Sequence, residues 1–355
     1  DDLVRPRQRQ LHAGIEYVSS TIERVLPDAR EVLLGDGRTL PYDVLVIATG
    51  AQLQPDETEG LRGEAWNRSV FTFYDLEGAC ALHEALQRFE GGKLVVAVVD
   101  MPIKCPVAPL EFCFLADWYF TERGIRDRVD ITYATPLDGA FTKPIASEAL
   151  GAMLAERNIT VEAQFNTGEV DGEGGRLVSY DEREVPFDLA VVVPLHGGAE
   201  YVGRSPGLGD AVDFVPTDER TLQSKVAPEV FVIGDAATVP ASKAGSVTHF
   251  EGETLVANIE HHLAGEPLEA SFDGHANCFI ETGHGKAMLI DFNYDTEPLP
   301  GKFPLPGVGP FTLLEETAVN HWGKLAFKWL YWNVLLAGKE LPLDHRMTMA
   351  GKRAA

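Results

Sequence analysis

The residue best placed for chemistry is Cys105, in the turn Met101-Pro-Ile-Lys-Cys-Pro-Val-Ala-Pro109. The turn lies between an apolar run, Leu94 to Asp100, that reads as a buried strand, and a helix-compatible segment from Leu110 to Phe120. The partial positive charge of a helix N-terminus lowers a thiol pKa, so Cys105 is a candidate reactive thiolate. Strand, turn and helix in this order also open a nucleotide-binding βαβ unit, whose turn carries G-x-G-x-x-G so that a pyrophosphate can reach backbone amides. This turn has no glycine, and its prolines remove donors and block close approach. The expectation is thiol chemistry in place of nicotinamide dinucleotide binding.

The four cysteines, Cys80, Cys105, Cys113 and Cys278, lack the short paired spacing of a zinc or iron–sulfur site, so any pair among them must be made by the fold. Cys80, in a helix-like stretch, and Cys113, on the apolar face of the helix after Cys105, read as core thiols. The chain has 355 residues with 45% hydrophobic content, enough to bury two substantial α/β cores. No apolar run reaches the roughly 18 residues of a transmembrane helix. A formal charge of −24 argues against a nucleic-acid partner.

The elements that would position Cys105 follow from periodicity and turn signals. From Gly14 the sequence alternates as short strands, with a hairpin turn at Asp36-Gly37. Asp43-Val-Leu-Val-Ile-Ala-Thr-Gly50 is a buried strand running into a sharp turn, and Pro228-Glu-Val-Phe-Val-Ile-Gly-Asp-Ala236 is another. Between them lie the strand Val129 to Thr135, a helix from about Ser147 to Arg157, a glycine-rich hairpin from Gly168 to Leu177 and the strand Phe187 to Pro194. A helix-like segment, Glu251 to Gly265, follows the second buried strand.

Thr49-Gly50 resembles the ATG motif of flavin- and nicotinamide-dependent two-dinucleotide-domain oxidoreductases, and Gly234-Asp235 resembles the Gly-Asp motif of the same superfamily. There the aspartate hydrogen-bonds the ribityl chain of FAD while the glycine lets the cofactor come close. Pro240 to Phe250, with Lys243 and Gly245, resembles the segment that sets a helix N-terminus by the flavin pyrimidine edge, where the dipole stabilises a reduced flavin. The resemblance implies an α/β fold of two Rossmann-like three-layer domains of FAD/NAD(P)-binding type, plus a C-terminal amphipathic helical region that associates with a membrane. Residues 1–75 and 205–270 would form a discontinuous FAD domain, 76–204 a degenerate second dinucleotide-type domain carrying Cys105, and 271–355 a quinone- and membrane-interaction region carrying Cys278. The family layout implies that about 75 to 80 residues, with the pyrophosphate loop, precede Asp1.

More narrowly, the chain resembles sulfide:quinone oxidoreductases from Asp1 to about Leu343, through Lys104-Cys105-Pro106, Ala108-Pro109-Leu110-Glu111, Thr121 to Pro136, Val191 to Leu208, Val230 to Ala236 and Asn277-Cys278-Phe279. The resemblance implies that Cys105 and Cys278 pair beside the isoalloxazine and hold sulfur, that Glu111 acts as acid or base near the sulfide site, and that Phe279 lies near the quinone. Such chemistry suits two thiols: hydrosulfide loses two electrons through disulfide-like intermediates, and a flavin accepts both at once. Which cysteine reaches the flavin stays open. Lys143 replaces a histidine the family often carries, so proton handling falls to His196, His249 or His284 as candidates.

From Ala318 to Ala355 there are six Lys or Arg against two acids, and three of the five tryptophans, Trp322, Trp329 and Trp332, form a stripe with Leu325 and Leu336. This pattern suits a helix at the headgroup boundary of a membrane, in a peripheral enzyme of a bacterial or archaeal cell that draws quinone from the bilayer. A helix packed on its own protein or on a partner in a homo-oligomer is the alternative. Pro298 to Pro310, with five prolines and three glycines, reads as the linker before it. Three rival functions stay open: a flavocytochrome sulfide dehydrogenase flavoprotein, a type II NADH:quinone oxidoreductase, which needs the missing glycine turn, and a truncated remnant or interaction protein without flavin.

Overall fold

The structure, a computed structural model, describes residues 4–339 and 344–353. The two limits of the family resemblance, Asp1 and Leu343, lie outside the described residues.

The strand before Cys105 is central to the fold. Gly92–Val98 is buried from Leu94 onward and is flanked by Val129–Ala134 then Ile159–Glu162 on one side, and by Leu189–Val193 then Val70–Phe71 on the other, all parallel. Continuous runs such as Leu94-Val-Val-Ala-Val98 and Leu189-Ala-Val-Val-Val193 form such strands because β-branched side chains bury on both faces of a sheet covered by crossovers. The crossovers include the cysteine helix, Ala108–Glu122, which packs Leu110, Cys113, Phe114 and Phe120 into the core, and Pro144–Glu156. A three-stranded antiparallel sheet, Thr167–Asp171, Arg176–Ser179 and Glu184–Pro186, is built on the expected hairpin.

The two motif-bearing strands are neighbours. Leu45–Ile47 runs parallel to Val230–Val232 with Val46 opposite Phe231, and Ile233 N–H donates to the Ile47 carbonyl at 3.0 Å. Thr49-Gly50 and Gly234-Asp235 therefore leave the same end of one parallel pair, where ligands bind in α/β sheets. After them comes the helix Gly245–Ala264.

Three expectations change. The region from 271 onward carries a sheet as well as a helix: Ala276–Gly283 pairs antiparallel with Lys286–Phe292, and Gly301–Leu305 with Gly309–Leu313. The proline-rich stretch is thus a hairpin and not a linker. Its prolines are tolerated because Gly301–Leu305 is an edge strand, and Pro310 lies beyond the single Leu289–Leu313 pair that joins Gly309–Leu313 to the rest. Cys80 is exposed and not a core thiol, because the helix Leu76–Arg88 buries Gly78, Leu82 and Ala85, a stripe that excludes it. Cys113 is buried as expected.

The C-terminal helix, Ala318–Asn333, is capped by Thr317, whose hydroxyl accepts from Asn320 N–H. Asn320 is buried and its side chain binds the backbone of Thr312 and Glu315. Gly323 lets the helix approach Phe311: a Cβ there would sit 2.3 Å from the Phe311 ring. The outer side carries Trp322 at 67% and Trp329 at 66% exposure, with Leu325, Phe327 and Tyr331 also exposed. Trp332 differs, since Arg5 stacks on its ring at 4.2 Å. Among the described residues no helix is long and apolar enough to cross a membrane.

Candidate active site

Gly234 ends its strand with φ +66°, and a Cβ there would meet the Thr248 hydroxyl at 2.9 Å. Its N–H donates to Glu251 Oε2 at 2.7 Å. Glu251 is fully buried, burial pushes its pKa up to about 7, and its Oε1 has no hydrogen-bond partner. A carboxyl whose native pKa lies above its unfolded value holds its proton more tightly when folded, so stability falls as pH rises from about 4.5 to 7. The loss is at most roughly 3 kcal/mol. Glu251→Gln is expected to keep the bond to Gly234 and to flatten that part of the stability profile, read by thermal unfolding at several pH values.

Asp235 lies next in sequence. Burial raises its pKa against the opposing charges of Lys243 and Lys104. Lys243 donates from Nζ to the carbonyls of Asp235 at 2.7 Å and Ala237 at 3.0 Å, and its ammonium lies 4.2 Å from the Phe214 ring centre. The Lys243 carbonyl accepts from Cys105 N–H at 2.6 Å, and Lys104 and Lys243 form a parallel bridge. The cysteine turn is thereby pinned to the segment that follows Gly-Asp. Tyr74 adds a hydroxyl bond to the Cys105 carbonyl at 3.2 Å. Cys105 itself is left-handed, φ +50°, a conformation costly for a residue with a Cβ.

Cys278 reaches the same place from the strand Ala276–Gly283. It is half-buried, its thiol hydrogen-bonds Ser246 in the first turn of Gly245–Ala264, and it feels the charge of Cys105. Burial, then Cys105, push its pKa up to about 12 against the Ser246 bond. The expected low pKa of Cys105 is also reversed. Burial raises it, outweighing the Lys324 charge and the Ala108 amide, although the residue is solvent-exposed. Lys324, the Ala108 amide, Asp235 and Cys278 act on the sulfur even though part of the residue meets solvent. The helix end does donate to this sulfur, but desolvation wins.

Side chains alternate along Ala276–Gly283, so Cys278 and Ile280 face the core while Phe279 and Glu281 face the C-terminal helix. Phe279 meets Phe311 edge-on at 5.3 Å. Glu111, on the cysteine helix, accepts from Glu281 N–H at 3.0 Å and pairs with Lys324 of the C-terminal helix. Lys324 also lies 3.4 Å from the Phe279 carbonyl, and burial lowers its pKa to about 8 against the pull of Cys105. The fold thus gathers Cys105, Cys278, Glu111, Asp235, Lys243 and Gly245 into one cluster. Thr49 and Gly50 stand at its strand-pair end, where Thr49 Oγ1 is 3.1 Å from the Tyr201 hydroxyl.

Of the three histidines, His196 is the one tied to this cluster, through Tyr74 and the charges of Lys104 and Lys243. Its ring packs edge-on to Tyr74 at 5.5 Å, Nδ1 binds the Pro194 carbonyl at 2.9 Å, and Nε2 is buried without a hydrogen-bond partner. Burial pushes its pKa down to about 4, with Lys104 and Lys243 adding to the shift. His284 sits at a hairpin tip 3.6 Å from Asp117, and His249 packs against Phe250 along the helix. Lys143 is held at Asn293 and Glu297 and does not replace a site histidine. Lys324 is the residue that sequence reasoning passed over. A lysine between tryptophans reads as a headgroup contact, and its partner Glu111 lies more than two hundred residues away.

No protein-family model matches the chain. It is 28% identical over 331 residues to a protein named mitochondrial sulfide:quinone oxidoreductase from Dictyostelium discoideum, covering 92% of this chain and 72% of that one. It is 26% identical over 343 residues to the protein of the same name from Mus musculus, covering 94% and 74%. Among solved structures, the sulfide:quinone oxidoreductase of the bacterium Aquifex aeolicus superposes with a TM-score of 0.73 at 20% identity, covering 92% of this chain and 76% of the other. The α/β fold is shared, and the similar proteins come from eukaryotes as well as bacteria.

Proposed function

We propose that this chain, a relative of the sulfide:quinone oxidoreductases, oxidises sulfide to sulfane sulfur at Cys105 and Cys278 and passes the electrons through FAD to a membrane quinone. The observation that carries the reading is the meeting of two sequence-distant thiols beside Gly234-Asp235 and the first turn of Gly245–Ala264.

The residues fit FAD. Gly50 and Gly245 have no protein atom within 4 Å of where a Cβ would sit and so leave their backbone open to a cofactor, Asp235 offers a carboxylate for ribityl hydroxyls, and the first-turn amides of Gly245–Ala264, which has no side-chain cap, suit the pyrimidine edge. Thr49 and Gly50 form the other lip, and Lys243 braces the Asp235 backbone from behind. When bound, FAD accepts an electron pair and returns it to quinone.

The protein supplies the sulfur chemistry. HS⁻ attacks one sulfur of an oxidised Cys105–Cys278 bridge, giving a persulfide on one cysteine and a thiolate on the other. Closing these into a trisulfide would release one proton and two electrons, the pair that FAD, when bound, would accept. Because HS⁻ is the nucleophile, the raised thiol pKa values do not block this step; the burden falls on the leaving thiolate. Lys324 lowers the Cys105 pKa and so favours its departure. Glu111, held by Lys324 and the Glu281 amide, is the acid or base for the released proton.

Quinone reduction is assigned to the face of Phe279. Lys324, with its pKa near 8, is the donor to a quinone oxygen, and Phe279 and Phe311 supply apolar contact. The exposed Trp322, Leu325, Phe327 and Trp329 rest in the headgroup boundary as a monotopic anchor. Gly323→Val is expected to push the helix off Phe311 and to weaken quinone turnover more than flavin reduction by sulfide, measured as separate half-reactions. The reading as a whole is tested by steady-state quinol formation in liposomes. Sulfide should support turnover and NADH should not; turnover with NADH alone would reject it.

A further inference from the structure

Reducing a quinone to a quinol consumes two electrons and two protons. Reduced flavin, FADH⁻, returns two electrons and one proton, so the second proton must come from outside the flavin. Resting on the function proposed above, we propose that His321 and Glu281 are the entry pair for that proton.

His321 is on the first turn of the C-terminal helix, and its Nδ1 lies 2.6 Å from Glu281 Oε1. Their side chains are 21% and 13% exposed, so the pair is shielded yet still touched by solvent. The exposed Trp322 lies against the His321 ring at 5.6 Å on the outer side. On the inner side, Lys324 is three residues further along the helix and so shares a face with His321. Glu111 spans the gap, in contact with the Lys324 ammonium and hydrogen-bonded to the peptide N–H of Glu281. Lys324 in turn reaches the carbonyl of Phe279 at 3.4 Å.

This order gives each group a task. Lys324 donates its proton to the quinone oxygen and becomes a neutral amine. The proton is replaced from His321, whose Nε2 takes one from solvent and passes it to the neutral Lys324 amine while Nδ1–H stays on Glu281. Glu281 orients the ring and stabilises the imidazolium during transfer. A simple structural clamp would use the same contacts, but it would not distinguish acceptors that need protons from those that do not.

Ferricyanide takes electrons alone, which makes it the discriminating acceptor. In the FAD-loaded holoenzyme, His321→Gln and Glu281→Gln should slow sulfide-dependent decylubiquinone reduction about 10- to 100-fold while ferricyanide reduction changes less than about twofold. Added imidazole should restore part of the quinone rate in His321→Ala. Rates that fall together with both acceptors would make the pair a structural prop and overturn the inference, and so would unchanged quinone turnover. Wild-type protein that reduces no quinone with sulfide would instead overturn the proposed function, and the inference with it.

Discussion

Cys278→Ser is expected to reduce sulfide-dependent quinone turnover by about three orders of magnitude or more, with FAD still bound. The bridge needs two sulfurs, and serine cannot accept sulfane sulfur or form the trisulfide. Flavin binding should survive because the interactions of Cys278 are with Ser246, Cys105 and Asp291 and none is with Thr49, Gly50, Gly234 or Asp235 among those described. Cys105→Ser should show the same loss. Absorbance of the purified variant reports the flavin, and quinol formation reports the chemistry. Turnover at the wild-type rate would end the two-cysteine account.

Lys352→Ala is expected to destabilise the fold by about 3–5 kcal/mol, the usual result of leaving one buried charge without its partner. The Lys352 side chain is 0% exposed and pairs with Asp291, itself 1% exposed. The other Asp291 oxygen accepts from His275 at 2.8 Å and Asn277 at 3.0 Å. Burial pushes the Asp291 pKa up, but the His275 hydrogen bond, the His275 charge and Lys352 outweigh it, and the carboxyl is held below its ordinary value. A depressed carboxylate contributes stability above its unfolded pKa, near 4, and that stability is lost as pH falls below it. Wild-type and Lys352→Ala protein should therefore differ most at neutral pH and converge in acid, read by urea unfolding. Asn277 is opposite Asp291 and Cys278 opposite Ile290, so the C-terminal lysine clamps the strand that presents the second cysteine.

The parts of this molecule legible in its sequence are those set by local pattern. The glycine-free turn and its cysteine were readable because a phosphate-binding turn has a backbone requirement that prolines violate. Buried β-branched runs announced the central strands, and the ends of two of them proved to be neighbours through the Leu45–Ile47 and Val230–Val232 pairing. The C-terminal sheet was hidden because prolines that normally break strands sit on its edge. Lys324 with Glu111 and Lys352 with Asp291 were hidden for another reason. A charge pair made between distant segments leaves no periodicity in either. The direction of the Cys105 thiol pKa was hidden because the helix end is visible in sequence whereas the desolvation of its sulfur is not.

The most direct measurement is the flavin absorbance spectrum of FAD-loaded protein during anaerobic sulfide addition, followed by decylubiquinone. The account predicts bleaching of the flavin band by sulfide and its return on adding quinone, with no bleaching by NADH. Bleaching by NADH, or a flavin that sulfide leaves oxidised, would contradict it.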